Sequence, residues 1–258
     1  MPRTAFDKQW SDWIQHNVER GCSQEELFSI LVREGFDAEA ARRALAPGGI
    51  SYPPLRMANL QRVPSPRVEL FVAEGFLDEP DCGGLIDLMQ GRLRRSTITQ
   101  PDEPDKYFRR SQTCDLSLID DPAVRSLDRR ICEAMQTDPA FAEGSQGQYY
   151  EPGDEFKAHT DYFEANELAK FSTATLGQRT WTFMIYLNEP EAGGETVFPN
   201  LGVGIRPRTG RAVIWNSLSA SGEPNPDTLH QGMPVKAGCK AIVTKWFRRP
   251  REKARAAG

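Results

Sequence analysis

The sequence predicts an α+β protein in which a β-rich barrel or sandwich is flanked by helices and preceded by a small helical bundle. Two patterns predict this fold class. Apolar residues recur at helical spacing through the first 46 positions, whereas short β-branched and aromatic runs separated by Gly, Pro and Asn dominate beyond residue 145. The 258 residues are enough for one large domain and one smaller one.

Residues 1–47 are predicted to form a three-helix bundle. Ser23 followed by Glu26 is typical of a capping box at the start of the second helix, and Gly35 predicts the end of that helix. The Gly35-Phe36 turn and the size of the segment resemble a ubiquitin-associated-type bundle, which would dock a protein partner. A structural appendage of another three-helix type is the alternative.

A proline-rich segment at residues 48–65 is predicted to be an extended linker. Proline fixes the backbone and removes a hydrogen-bond donor, so the density of prolines between residues 47 and 66 disfavours regular helix and sheet. We therefore expect the main domain at residues 66–250. A basic tail at residues 251–258 is expected to be solvated and is assigned no function.

Within the main domain, the apolar spacing predicts two helices and a series of strands. The helices are Pro80–Gln90 and an amphipathic one at Pro122–Gln136. The strands are Val68–Val72, Gln148–Tyr150, Thr180–Leu187, Thr196–Phe198, Ala212–Trp215 and Ala241–Phe247.

Composition narrows the class of partner. A formal net charge of -4 disfavours a chain whose main task is to coat nucleic acid or an anionic membrane, so a protein or small-molecule partner is expected. No apolar run reaches the roughly 20 residues needed to span a bilayer, and the first residues lack the apolar core of a secretory signal. The five cysteines are scattered without a CxxC pair, which predicts free thiols and a cytoplasmic protein.

Histidine is scarce, with three residues in the chain, and two of them stand beside candidate metal ligands. His159-Thr160-Asp161 is an HxD triplet, which in a strand would project both side chains to one face. His230, at the start of a later strand, would complete a two-histidine, one-carboxylate set. Such a set leaves positions open for a chelating 2-oxo acid and O₂, which suits Fe(II) in a non-haem oxygenase.

Lys240 is the second chemical signal. It begins an apolar strand, Lys-Ala-Ile-Val-Thr-Lys-Trp-Phe, where an inward ammonium is costly unless an anion matches it. The carboxylate of a co-substrate would supply that anion.

These residues belong to a longer series of motifs between Tyr149 and Arg248. In order, the motifs are Tyr150-Glu-Pro-Gly153, His159-Thr-Asp161, Arg179-Thr-Trp-Thr182, Tyr186-Leu-Asn188, Gly193-Gly-Glu-Thr196, His230, Lys240 and Trp246. The series resembles the 2-oxoglutarate- and Fe(II)-dependent prolyl 4-hydroxylases. Arg94-Arg-Ser-Thr97 and Arg109-Arg-Ser111 resemble the paired strands and substrate loop of that family, which extends the likeness to residues 66–249.

The resemblance implies a double-stranded β-helix (jelly-roll) core and the cofactors Fe(II), 2-oxoglutarate, O₂ and ascorbate as reductant. It assigns the metal to His159, Asp161 and His230. The residues it assigns to the co-substrate are Lys240, Tyr150, Tyr186 and Thr196, and those it assigns to the substrate are Arg179, Trp246 and Arg109. Phe156 departs from the family, in which tyrosine is common at this position. The polar run at residues 100–105 is expected to be a mobile lid.

The predicted function is 4-hydroxylation of prolyl residues in a peptide or protein, with conversion of 2-oxoglutarate to succinate and CO₂. One alternative keeps the iron chemistry but hydroxylates a free amino acid or another small molecule, which would favour a closed, charged pocket. The other is a non-catalytic module in which the N-terminal bundle carries the activity, and the intact metal triad with Lys240 disfavours it.

Overall fold

The computed structural model describes residues 2–4, 6–20, 22–45, 55–65, 67–97, 108–173, 175–219 and 222–250. The chain divides into two compact units, one of residues 1–54 with 218–224 and one of residues 55–217 with 225–258. The expected lid at residues 100–105, the basic tail at residues 251–258 and the first part of the expected linker lie outside the described residues.

The first unit contains three helices, α1 (Lys8–Glu19), α2 (Gln24–Arg33) and α3 (Ala38–Leu45). Ser23 caps α2 by accepting a hydrogen bond from the backbone N–H of Glu26 at 3.4 Å. Gly35 follows α2 with φ at 85°, a left-handed conformation that glycine adopts without strain. The buried core of this unit consists of Ile14, Leu27, Leu31, Phe36, Ala41 and Leu45.

The second unit is built on two larger sheets, and every strand pairing within its described sheets is antiparallel. Its strands are β1 (Leu60–Arg62), β2 (Leu70–Ala73), β3 (Arg94–Arg95), β4 (Gln112–Asp115), β5 (Gln146–Tyr150), β6 (Phe156–His159), β7 (Leu176–Tyr186), β8 (Ala192–Gly193), β9 (Thr196–Phe198), β10 (Val203–Ile205), β11 (Ala212–Asn216), β12 (His230–Gly232), β13 (Val235–Ala237) and β14 (Lys240–Pro250). The large sheet has the order β1-β2-β11-β7-β14-β5-β4-β3, the second has the order β10-β9-β12-β6, and β13 pairs with β8. This arrangement is consistent with a jelly-roll core.

The alternating side chains of β14 separate the two faces of the large sheet. Lys240, Ile242, Thr244 and Trp246 line a cavity on one face. On the other face, Lys245 forms an ion pair with Asp128 at 2.8 Å. Asp128 belongs to α5 (Pro122–Met135), a helix that buries an apolar stripe and packs next to α4 (Glu79–Met89). The helices therefore lie on the face of β14 that is opposite the cavity.

The positions of most predicted elements are confirmed, and the boundaries differ at the ends. Thr196–Phe198 is a strand as predicted, whereas β7 and β14 each run for 11 residues and exceed their predicted lengths. The five cysteines, all in the described part of the chain, are free as predicted. Among the helices that the structure describes, none has the length and apolar character needed to cross a membrane.

Several short elements were not predicted, and two of them bear on the expected linker and on the site. Within the expected linker, Leu60–Arg62 form β1 and pair with β2, so the expectation of no regular structure is wrong for these residues. The prolines lie outside the three residues that pair, and β1 is an edge strand. A short helix, α6 (Ala165–Phe171), follows the metal triplet, and the backbone N–H of Glu164 donates to the carboxylate of Glu167 at its start.

Candidate active site

Three predicted ligands converge on one point of the second unit. The ligand atoms of His159, Asp161 and His230 all lie within 4.8 Å of one another. Nε2 of His159 lies 3.9 Å from Oδ1 of Asp161, and Nε2 of His230 lies 3.9 Å from Oδ2 of Asp161. The two histidines are directly opposite each other on β6 and β12. Asp161 was expected in the strand of His159, but β6 ends at His159 and the turn that follows delivers the carboxylate.

Hydrogen bonds orient both imidazoles for metal binding. Nδ1 of His159 lies 2.7 Å from the carbonyl oxygen of Lys157, and Nδ1 of His230 lies 3.0 Å from the carbonyl oxygen of Thr228. A carbonyl accepts only, so Nδ1 carries the proton and donates in each ring. Nε2 of each ring is then the nitrogen that could donate a lone pair to a metal, and each lies 3.9 Å from the Asp161 carboxylate.

The charge state of the triad suits a divalent cation. Burial, and then the neighbouring His230, lower the pKa of His159 to about 3, so its imidazole is neutral. Burial alone would disfavour a charge on Asp161, but the two histidines, Arg179 and the Thr182 hydroxyl hold the pKa of Asp161 below its ordinary value. Two imidazoles that present Nε2 and one carboxylate, with open positions, fit Fe(II).

Thr182 supports the carboxylate and received no role from the sequence. It is fully buried on β7, and its hydroxyl donates to Oδ2 of Asp161 at 2.6 Å. The motif Arg179-Thr-Trp-Thr182 contains this residue, but only the folded register brings it to Asp161. Such support around a ligand fixes its orientation and strengthens metal binding.

We expect Thr182→Val to weaken metal affinity about 10- to 100-fold, because the isosteric side chain cannot donate to Asp161. Titration of the protein with Mn(II), followed by calorimetry, measures this. Thr180→Val is the matched control, since Thr180 is buried on the same strand and its hydroxyl donates to the carbonyl oxygen of Phe247 at 3.1 Å. Equal metal affinity in the two variants would contradict a role for Thr182.

Lys240 lies in the cavity that the metal triad also lines. It is 1% exposed, and its ammonium donates to the carbonyl oxygen of Gly194 at 3.1 Å and lies 4.2 Å from the centre of the Tyr150 ring. Burial lowers the pKa of Lys240 to about 7, against the opposing charge of Glu195. Among the described residues, the contacts of this ammonium are a carbonyl oxygen and an aromatic ring and include no ion pair, so an anion in the cavity would stabilise the buried cation.

The three other residues predicted to bind the co-substrate lie at different depths. Tyr150 and Thr196 line the cavity, and the Tyr150 hydroxyl donates to Oε1 of Gln148 at 2.8 Å. Tyr186 lies behind Thr196, to whose hydroxyl it donates at 2.6 Å. The Tyr186 phenol therefore does not line the cavity, and its contact with the lining is the hydrogen bond to Thr196.

Arg179 lies beside Trp246 of the cavity lining and is held there by a carboxylate that was not predicted. Its guanidinium makes two hydrogen bonds to Glu143, both at 2.7 Å, and lies 4.2 Å from the ring centre of Trp246. A third, weaker bond reaches the carbonyl oxygen of Asp161 at 3.4 Å. Arg179 thus contacts both Trp246, which is also predicted to bind substrate, and the backbone of Asp161 in the triad.

Arg109 and Phe156 form a stack on the first histidine. The ring centres of Phe156 and His159 are 3.5 Å apart. The guanidinium carbon of Arg109 lies 4.8 Å from the centre of the Phe156 ring. Nη1 of Arg109 donates to the carbonyl oxygen of Thr97 at 3.0 Å. Of the three residues predicted to bind substrate, Arg109 and Trp246 line the cavity that holds the triad, and Arg179 contacts Trp246.

Comparison with known proteins agrees with the chemistry of this cavity. The family described as the 2OG-Fe(II) oxygenase superfamily matches residues 145–248, a range that includes all three triad residues and Lys240. The site and the antiparallel fold thus define the class as a 2-oxoglutarate- and Fe(II)-dependent oxygenase.

Individual relatives narrow the class. Human prolyl 4-hydroxylase subunit alpha-1 is 36% identical over 174 residues, which cover 64% of this chain and 33% of the human protein. Probable prolyl 4-hydroxylase 3 of Arabidopsis thaliana is 30% identical over 199 residues, covering 69% of this chain and 68% of the plant protein. The chain belongs to the prolyl 4-hydroxylase family. It spans about a third of the length of the animal alpha-1 subunits that it matches.

A solved structure shares the fold. The viral collagen prolyl hydroxylase vCPH from Paramecium Bursaria Chlorella virus-1, in its 2-oxoglutarate complex, has a TM-score of 0.55 and 25% sequence identity. The match covers 70% of this chain and 96% of the viral one.

Proposed function

We propose that this protein is an Fe(II)- and 2-oxoglutarate-dependent dioxygenase that hydroxylates prolyl residues at C4 in a peptide or protein and converts 2-oxoglutarate to succinate and CO₂. The observation that carries the proposal is the buried, unpaired ammonium of Lys240 in the cavity of the His159-Asp161-His230 triad. The names of the human and plant relatives support a prolyl substrate, and the viral relative is a 2-oxoglutarate complex.

In this proposal, His159, Asp161 and His230 hold Fe(II), and Thr182 keeps the Asp161 carboxylate oriented. When bound, iron with 2-oxoglutarate and O₂ supplies an oxidant strong enough for an unactivated C–H bond. The residues themselves contribute neutral imidazole nitrogens and one negative charge. The charge of the ion is therefore only partly neutralised, which favours an anionic chelator in the open positions.

Lys240 pairs with the distal carboxylate of 2-oxoglutarate. Because the ammonium is shielded from water, its attraction to a carboxylate is stronger than the same pair would have at the surface. Thr196 and Tyr150 line the same cavity and offer hydroxyls to the co-substrate, while Tyr186 supports Thr196 from behind.

Arg179, Trp246 and Arg109 receive the substrate. The three hydrogen bonds of Arg179 to Glu143 and Asp161 leave about two of its five N–H donors for a peptide carbonyl. The Trp246 indole beside it offers an apolar face on which a proline ring can pack. Orientation of the C–H bond at the metal is the protein's main contribution to the rate.

The domain roles are part of the same proposal. We assign residues 1–47 to a ubiquitin-associated-like bundle that docks a protein partner, residues 48–65 to a linker whose Leu60–Arg62 add an edge strand to the large sheet, and residues 66–250 to a jelly-roll dioxygenase domain. The five free thiols support a cytoplasmic location. Ascorbate is proposed as the reductant that maintains Fe(II).

Succinate formation tests the function. Purified protein is mixed with Fe(II), ascorbate and 2-oxoglutarate, with and without a proline-rich peptide, and with the same peptide carrying alanine for proline. We expect succinate formation to rise with the proline peptide alone, and mass spectrometry to find one added oxygen on proline. If only free amino acids stimulate succinate formation, the substrate is a small molecule and not a peptide. If neither stimulates it, the proposal is overturned.

A further inference from the structure

The face of β12 that carries His230 continues with a residue that has no side chain. His230 and Gly232 both line the cavity, and the pairing of β12 with β6 shifts register between them. Gly232 lies opposite Thr196 on β9 and opposite Phe156 on β6. The gap left by the missing side chain is therefore between the metal triad and the co-substrate residues.

The space at Gly232 adjoins the ammonium of Lys240. A Cβ atom at this position would lie 3.5 Å from Nζ of Lys240 and 3.7 Å from Cβ of Phe156. These are ordinary van der Waals distances, so a methyl group would fit the folded protein but would fill the space beside Nζ. Phe156 on the other side stacks on His159, which prevents an added side chain from turning away without disturbing that ring.

The backbone gives no reason for glycine at this position. Gly193 and Gly194 have φ values of 78° and 76°, a region that favours glycine, and a Cβ on Gly193 would meet the carbonyl oxygen of Pro234 at 2.3 Å. Gly232 does not have a positive φ and has no such clash. Its effect on the site is the open space next to Lys240.

We propose that Gly232 determines which 2-oxo acids the cavity accepts, by leaving room for a distal carboxylate against the Lys240 ammonium. This inference rests on the proposed function. A 2-oxo acid that chelates the metal must extend its far carboxylate to Nζ, and a side chain at position 232 would occupy the space which that carboxylate needs. Longer acids need more of this space than 2-oxoglutarate, and ligands that reach only the metal need none.

Calorimetry on Mn(II)-loaded protein tests this without turnover. For Gly232→Ala we expect affinity for 2-oxoglutarate to fall about tenfold, the range seen when one methyl group misfits a pocket, and affinity for 2-oxoadipate to fall further. Oxalate, which chelates the metal without reaching Lys240, should bind as it does to the wild type. Gly232→Val should exaggerate the same pattern.

Gly204→Ala is the matched control, because Gly204 is an exposed strand glycine whose added Cβ would meet only Cγ2 of Val197, at 3.7 Å. It should bind both acids normally. Wild-type 2-oxoglutarate affinity in Gly232→Ala, or an equal loss for oxalate, would overturn the inference while leaving the proposed function intact. Absence of 2-oxoglutarate binding by the wild type would instead overturn the proposed function itself.

Discussion

Asp161→Ala and His159→Ala should each lower peptide-stimulated succinate formation by more than about 100-fold, well beyond the loss expected from a residue that only supports a ligand. Each change removes one of three ligands, and Asp161→Ala also removes the only negative charge of the triad. The strands that carry the histidines are held by backbone hydrogen bonds that do not depend on an ion. The thermal unfolding midpoint measured without metal should therefore stay close to that of the wild type.

Two control variants separate loss of the metal from loss of the fold. His16→Ala removes the third histidine, which is exposed on α1, and should keep full turnover. Asp128→Ala breaks the pair with the buried Lys245 on the opposite face of the large sheet, so it should lower the unfolding midpoint while the metal site remains. Wild-type turnover in either triad variant would refute the metal assignment.

The sequence was sufficient to find the triad because histidine is rare and two of the three occur near motif residues in the β-rich half. The predicted position of Asp161 was wrong, since it approaches the two histidines from the segment after β6 and not from the strand itself. Residues that act through the folded register could not be found this way. Thr182 meets Asp161 across a separation of 21 positions, and Glu143 meets Arg179 across 36.

The strands likewise divide into those that the sequence pattern located and those that depend on their partners in the fold. Alternating apolar residues located the strands of the second half because one face of each is buried and the period is two. The same signal does not mark where pairing begins or ends, so β7 begins before its predicted start at Thr180 and β14 continues beyond its predicted end at Phe247. β1 has only three residues, two of them exposed, and it depends on its partner β2 for its structure.

Lys240→Met should reduce 2-oxoglutarate affinity by about 100-fold or more, the usual result of removing one partner from a buried, hydrogen-bonded charge pair. Methionine is close in length to the lysine chain but leaves a carboxylate without a cation. Calorimetry on the Mn(II)-loaded protein measures the loss. Oxalate affinity should be unchanged, and Lys236→Met, at an exposed position on β13, should behave as the wild type.

The pH dependence of binding makes the assignment specific. With a pKa of about 7, Lys240 loses its proton above neutral pH in the free protein, so a ligand carboxylate must recruit that proton when it binds. Wild-type affinity for 2-oxoglutarate should therefore fall as pH rises above about 7, approaching tenfold per pH unit, whereas Lys240→Met should show no such decline. Parallel pH profiles in the two proteins would assign the distal carboxylate to another residue.

The same buried charge predicts an opposite effect on stability. Burial lowers the pKa of Lys240 from 10.5 to about 7, so between these pH values the unfolded chain binds more protons than the folded one. The contribution of Lys240 to folding therefore becomes more favourable as pH rises through that window, and below it the buried cation is a cost. Lys240→Met should unfold at a higher temperature than the wild type at pH about 6, with the difference narrowing towards pH about 10, as thermal melts would measure. Raising the pH should therefore stabilise the folded protein through Lys240 while it weakens the binding of 2-oxoglutarate.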